Sequence, residues 1–230
     1  MPENTPAAEK PTNEKNEGLY SAKLLGFVYT PYVIRFSHRF AWQVPNSVLH
    51  RNHADNIGAN HLTVGPGNGY FLSKLPPSTA LRSLTLMDLN ATCLKVAGDR
   101  LRGRFDVRTV EQDALKPWPV AEGSLDSVDC HMMLHTVRGS SMLDKEGLIA
   151  EAAKALRPGG RFIGATILAK GEGVVLNGLA TRLMNAYNGQ SNTFANANDS
   201  SEDLRALLEK HFSEVRYEVH GCTGVWVAVK

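Results

Sequence analysis

Between residues 58 and 168, short apolar runs of strand length alternate with helix-length segments, and this alternation constrains the fold more than any other feature. "ANHLTVG" reads as a strand, "GYFLSKL" as the opening of a helix and "LRSLTLMDL" as a second strand. "ATCLKVAGDRLRG" has helical spacing, with Leu94, Val96, Ala97 and Leu101 as its apolar residues. "FDVRTVEQD" and "LDSVDCHMM" are further strands, and "DKEGLIAEAAKAL" is a helix that Pro158 and the glycines after it should stop. "GRFIGATIL" is another strand. Strands alternating with helices require βαβ units and a parallel sheet covered on both faces. The end of the chain breaks the pattern. "FSEVRYEVHG" and "TGVWVAVK" are strand-like runs separated only by a Gly- and Cys-containing turn, so they must pair as an antiparallel hairpin.

The parts outside this alternation are of two kinds. "MPENTPAAEKPTNEKNEG", residues 1–18, is polar and Pro-rich, reads as a solvated tail and lacks the apolar stretch of a secretory signal. Residues 19–57 carry aromatics at helix-like intervals and are expected to form an N-terminal helical cap. Residues 58–230 make the main domain, with 169–199 as a second cap segment.

A formal net charge of +2, with Lys and Arg dispersed along the chain, gives no electrostatic footprint for nucleic acid or a membrane surface. Cys93, Cys130 and Cys222 are far apart and form neither a disulfide framework nor a zinc motif, which fits a reducing, cytoplasmic setting. The expected partner is a small molecule; nothing in the sequence fixes an oligomeric state.

In parallel sheets the ligand sits outside the carboxyl ends of the strands. The first strand ends at Val64, and Gly65, Gly67 and Gly69 follow it at once. Glycines there permit a tight turn and a ligand packed on bare backbone, while the loop N–H groups and the next helix favour an anionic group. The alternative is a tight turn with no ligand. The spacing is GxGxG, and Tyr70 stands where a dinucleotide fingerprint has its third glycine, which argues against a nicotinamide cofactor. Asp88 closes the second strand, placed for ribose hydroxyls, and Asp113 follows the third within reach of an adenine amino group. Either acid alone reads as a helix cap or a solvated charge. At successive strand ends they describe a nucleoside pocket.

"VGPGNGYF", "LMDLN", "EQDAL", "LDSVDCHMMLHTV" and "ALRPGGRF" resemble, in order, the motifs of class I S-adenosylmethionine-dependent methyltransferases. Residues 61–168 carry the resemblance, and the terminal hairpin matches it too. The region from "FIGATILAKG" to "HFSEV" is similar to small fungal-type methyltransferases that tailor polyketides, such as those acting on the pyrone hydroxyl of aurovertin- and citreoviridin-like compounds.

The resemblance implies a Rossmann-like α/β fold, with a seven-stranded, mostly parallel sheet, a C-terminal antiparallel hairpin and a helical cap. It implies S-adenosylmethionine as cofactor and O-methylation of an enolic or phenolic hydroxyl. It places Thr63, Gly65, Pro66, Gly67, Asn68 and Gly69 along the methionine and ribose part of the cofactor. Asp88 and Leu89 then lie at the ribose, Asp113 and Ala114 at the adenine, and His131 at the methionine end. Thr63 departs from the family, which usually has an acid there.

Methyl transfer needs alignment and, for a hydroxyl, a proton acceptor, for which histidine is suited. His135 is the expected base or orienting group, with His131 as second candidate; a structural, helix-packing His135 is the alternative. Tyr29, Tyr32 and Trp42 are candidates for an acceptor pocket, against the alternative that they are core of the cap. His50 and His53 are spaced i, i+3 with no third ligand in view, so they read as solvated surface, and no metal is expected. Asn177, Asn185, Asn188 and Asn192 read in part as groups that satisfy loop backbone. Two further readings remain open: a methyltransferase-like protein catalysing a pericyclic or other non-methylating step, and a nicotinamide-dependent oxidoreductase.

Overall fold

The computed structural model describes residues 36–189 and 193–230. The expected tail, Tyr29, Tyr32 and Asn192 lie outside the described residues.

Seven strands form one sheet. They are β1 (Asn60–Val64), β2 (Ser83–Asp88), β3 (Asp106–Glu111), β4 (Leu125–His131), β5 (Leu156–Ile167), β6 (Glu214–His220) and β7 (Thr223–Val229), in the spatial order β3-β2-β1-β4-β5-β7-β6. β1 to β5 run parallel, and β7 is antiparallel to both β5 and β6. The order reverses between β1 and β4, so a crevice opens at the carboxyl ends of these two strands. The expected Rossmann-like class I methyltransferase architecture, with its terminal hairpin, is present.

The helices are α1 (Asn46–Asn56), α2 (Tyr70–Ser73), α3 (Ala91–Leu101), α4 (Glu146–Ala155), α5 (Gly178–Asn188) and α6 (Ser201–His211). On one face, Leu148, Ile149 and Ala152 of α4 and Leu204, Leu207 and Leu208 of α6 share a core with Leu62, Val128 and Phe162. On the other, α3 packs Leu94, Ala97 and Leu101 against Leu84, Leu86 and Ile163. Ala180 and Met184 of α5 join Ala165, Ile167, Trp42 and Leu49 there. In α3, Cys93 is buried and Val96 only partly so. The 3.6-residue period explains this: Cys93, Leu94, Ala97 and Leu101 share a face that Val96 leaves. The caps are the ones this sequence supplies. Asn90 accepts from the N–H groups of Thr92 and Cys93, Asn177 from that of Ala180, and Ser200 from that of Asp203.

Three local expectations change. α1 is packed on the sheet, with Leu49 fully buried and Asn52 Nδ2 donating to Trp226 O at 3.1 Å, so residues 46–56 belong to the covering layer of the sheet. α4 ends at Ala155, before Pro158, and "RPGG" instead forms an irregular entry to β5, across which the pairing with β4 jumps from Leu125↔Leu156 to Ser127↔Arg161. α2 is a single turn, too short to carry a useful dipole to the glycine loop.

Candidate active site

The carboxyl edge of the sheet brings four sequence features into one row: the loop after β1, Asp88 at the end of β2, Asp113 after β3 and His131 at the end of β4.

Gly65, Gly67 and Gly69 all have positive φ (+70°, +55° and +70°), so the turn needs residues without Cβ whatever binds there. The protein itself also fills two of the spaces. A Cβ on Gly65 would stand 2.2 Å from Met133 Cγ, and one on Gly69 would press on Ala97 of α3 at 3.3 Å. Met133 and α3 thus exclude side chains at Gly65 and Gly69. Gly69 lies in close contact with α3. Two loop donors are used internally, Gly65 N–H on Met87 O and Gly69 N–H on Pro66 O. Asn68 is buried, and its Oδ1 accepts from Tyr70 N–H at 3.1 Å.

Asp88 is half-buried and accepts from Asn90 N–H at 2.8 Å. Burial raises its pKa to about 6, against the lowering effect of the Asn90 and Leu89 N–H groups. A carboxylate offers roughly four acceptor positions, so capacity remains for ligand hydroxyls. Leu89 is exposed beside it. Asp113 Oδ1 accepts from Leu115 N–H, and buried Ala114 accepts from Trp118 Nε1 through its carbonyl. These residues fit a nucleoside: a ribose-reading acid, a small buried floor and an adjacent polar edge.

The histidines are arranged differently from expectation. His135 lies in a 3-10 turn (Leu134–Thr136) and is buried, with its ring edge-on to Phe194 at 4.4 Å. Its Nδ1 has only Thr166 Oγ1 at 3.4 Å and Ile167 N at 3.5 Å near it. Burial, then Lys145 and His38, push its pKa down to about 3. Its enclosure against Phe194, away from the row of strand-end groups, fits the structural, helix-packing alternative for His135. Trp42 is 2% exposed, tilted against Phe194 at 5.9 Å, and is likewise core. Asn177 and Asn188 satisfy neighbouring groups, as expected.

His53 is a second correction. It is buried rather than solvated, and its Nε2 lies 2.5 Å from Asp129 Oδ2. Its ring stacks on that of His131 at 3.7 Å and on Phe71 at 5.7 Å. His50, half-exposed, packs on Phe71 at 4.9 Å. His53, Asp129 and His131 bring ligand-type atoms within 4.8 Å of one another. Thr63 pairs with Asp129 across β1 and β4, and its hydroxyl is buried without a partner among the described residues. Helical spacing cannot reveal a contact across 76 residues. The available signal was Asp129 itself, an acid inside an apolar strand, which must have partners.

This sheet order, with a glycine turn and an acid at consecutive strand ends, defines an α/β protein of methyltransferase topology. Comparison with known proteins agrees. Residues 62–164 match the methyltransferase domain family. The chain is 35% identical to demethylluteothin O-methyltransferase of Streptomyces thioluteus over 87% of this chain and 85% of that one. It is 32% identical to the physcion biosynthesis cluster O-methyltransferase of Aspergillus chevalieri over 100% of this chain and 99% of that one. In fold it superposes, with a TM-score of 0.66 and 18% identity, on phosphoethanolamine N-methyltransferase 2 of Haemonchus contortus, covering 93% of this chain and 47% of that one. The chain belongs to the class I S-adenosylmethionine-dependent methyltransferases. Among the described residues, no helix is long and apolar enough to cross a membrane.

Proposed function

We propose that this enzyme transfers a methyl group from S-adenosylmethionine to an enolic or phenolic hydroxyl of a small, planar natural product. The row of strand-end groups, from the glycine turn through Asp88 and Asp113 to His131, carries this reading. The two sequence relatives named above as O-methyltransferases favour a hydroxyl acceptor.

Asp88 would hold the ribose diol. Leu89, Asp113 and Ala114 would border the base, and the loop Gly65–Gly69 with Thr63 would border the amino-acid end. When bound, the cofactor supplies an electrophilic methyl group on a sulfonium. What remains for the chain is to align an acceptor, exclude water and receive a proton in a hydrogen bond. His131 suits the last task better than His135. It ends β4 at the crevice, its ring is only 4% exposed, and its Nε2 has no partner among the described residues. Unpartnered buried nitrogens call for a ligand group.

The test is paired. Wild-type protein is incubated with S-adenosylmethionine and a panel of phenols and hydroxypyrones, and both the methylated product and S-adenosylhomocysteine are quantified. Equal amounts are expected. His131→Gln should reduce turnover by about 10²–10⁴-fold, the usual worth of a positioned base, and His135→Gln should lower the melting temperature more than turnover. Product formed without cofactor demethylation, or tighter binding of NAD than of S-adenosylhomocysteine, would overturn the reading.

A further inference from the structure

Asp129, His53 and His61 have no part in the chemistry described so far, yet they form a buried charged cluster beside His131. The Asp129 side chain is fully buried in the middle of β4. Three imidazole nitrogens converge on its Oδ2: His53 Nε2 from α1 at 2.5 Å, His131 Nδ1 from β4 at 3.6 Å and His61 Nε2 from β1 at 3.8 Å. A buried ion pair of this kind is not explained as a source of stability, because apolar replacements are often neutral or better.

Hydrogen-bond chemistry fixes the protons. His53 Nδ1 lies 3.2 Å from the carbonyl of Leu49, which only accepts, and its Nε2 faces the carboxylate. Both nitrogens must donate, so His53 is an imidazolium paired with ionised Asp129. His61 Nδ1 lies 2.7 Å from Ser127 Oγ, which already accepts from Gly58 N–H at 2.8 Å. Donation of the serine proton to His61 Nδ1 would leave the His61 proton on Nε2, toward Asp129. His131 is stacked on the cationic His53 ring, and burial first, then the His53 charge, push its pKa down to about 3. It is neutral, with one proton to place. Nδ1 is the nitrogen next to the carboxylate, so the proton sits there. Nε2 keeps its lone pair, and it has no partner among the described residues.

We infer that Asp129, held in place by His53 and His61, is a positioning carboxylate that fixes His131 as the Nδ1–H tautomer and so presents the Nε2 lone pair to the acceptor hydroxyl. The inference rests on the methyl-transfer reading for the identity of the acceptor, while the tautomer is independent of that reading. A metal ion fits the cluster less well. Ligands of one ion at 2.0–2.2 Å stand roughly 3 Å or more apart, whereas His53 and Asp129 are at proton-sharing distance. The His53 and His131 rings also stack at 27° instead of meeting edge-on around a point. Partners of this kind, which orient a histidine through its second nitrogen, typically carry about 10–100-fold in activity.

The experiment is nitrogen-15 NMR of histidine-labelled, full-length wild-type protein at neutral pH, combined with kinetics and zinc analysis. His53 is expected to be protonated on both nitrogens, and His131 on Nδ1 only. Asp129→Asn should release His131 toward the Nε2–H tautomer and cut kcat by about 10–100-fold, leaving S-adenosylhomocysteine affinity within about twofold. If that variant strands the His53 cation and fails to fold, the charge-neutral double variant Asp129→Asn/His53→Gln serves, with the same expectation. A wild-type His131 protonated on Nε2, a folded double variant with unchanged kcat, or one equivalent of tightly bound zinc would each overturn the inference. Should wild-type protein methylate no oxygen acceptor, the proposed function fails while the measured tautomer still decides the role of Asp129.

Discussion

Asp88 is held between two environments. Burial raises its pKa to about 6, and the N–H groups of Asn90 and Leu89 draw it down. Ribose hydroxyls bond best to the ionised form, so the sign follows directly. Cofactor affinity should be full above pH 6 and fall as pH drops through 6, by up to tenfold per unit. Charge-assisted bonds are worth about 1.5–3 kcal/mol each. Asp88→Asn should therefore weaken S-adenosylhomocysteine at least tenfold at pH 7.5 and flatten the pH response. Calorimetric titration of both proteins at pH 5, 6 and 7.5 checks this, and a flat wild-type profile would show that Asp88 does not read the ribose. The position of this acid was legible in the sequence because it depends on where a strand ends, a local property. His53 was not, because its role depends on α1 crossing over β4. The two readings of His135 could not be separated for a related reason: the 3-10 turn after β4 places it against Phe194, and no spacing rule encodes that placement.

At the scale of elements, β5 and β7 are joined by a fit that periodicity does not reveal. The strands pair Gly164 with Trp226, and the indole occupies the space where a side chain at Gly164 would be. A Cβ there would stand 2.1 Å from Trp226 Cζ2 and 2.6 Å from the carbonyl of Cys130. Neither the rigid ring nor the β4 backbone can yield cheaply. Gly164→Ala should cost about 1–3 kcal/mol, as overpacked cores do. At roughly 2–4 °C per kcal/mol for a domain of this size, a thermal melt should register the loss. An unchanged melting temperature would mean that β7 slides without penalty. The strands and long helices themselves were readable from their periods of 2.0 and 3.6 residues. The exceptions are α2, where one turn is too short to show a period, and the entry to β5, where a proline and two glycines signal an interruption without saying whether a helix or a strand is interrupted.

Across the whole molecule, buried histidines tie the fold to pH. His38, His131 and His135 have pKa values lowered by burial to about 4, 3 and 3, each from an ordinary 6.5. In the unfolded chain these rings take up protons as pH falls below 6.5, while in the folded protein they stay neutral until near 4 or 3. The unfolded state therefore binds more protons through that window, and stability must fall as pH falls. Asp88 acts in the opposite sense, because the folded protein protonates it from about 6 downward and the unfolded chain only near 3.8. Three groups against one leave a net uptake of about two protons on unfolding near pH 5. At 1.36 kcal/mol per unit and proton, roughly 2–4 kcal/mol should be lost between pH 7 and pH 5. Urea titrations at those two values measure it. The triple variant His38→Asn, His131→Gln, His135→Gln should lose most of the pH dependence even if it is less stable throughout. A wild-type midpoint that rises on acidification would mean that these rings are charged in the folded protein, and that the neutral His131 on which the site depends is absent.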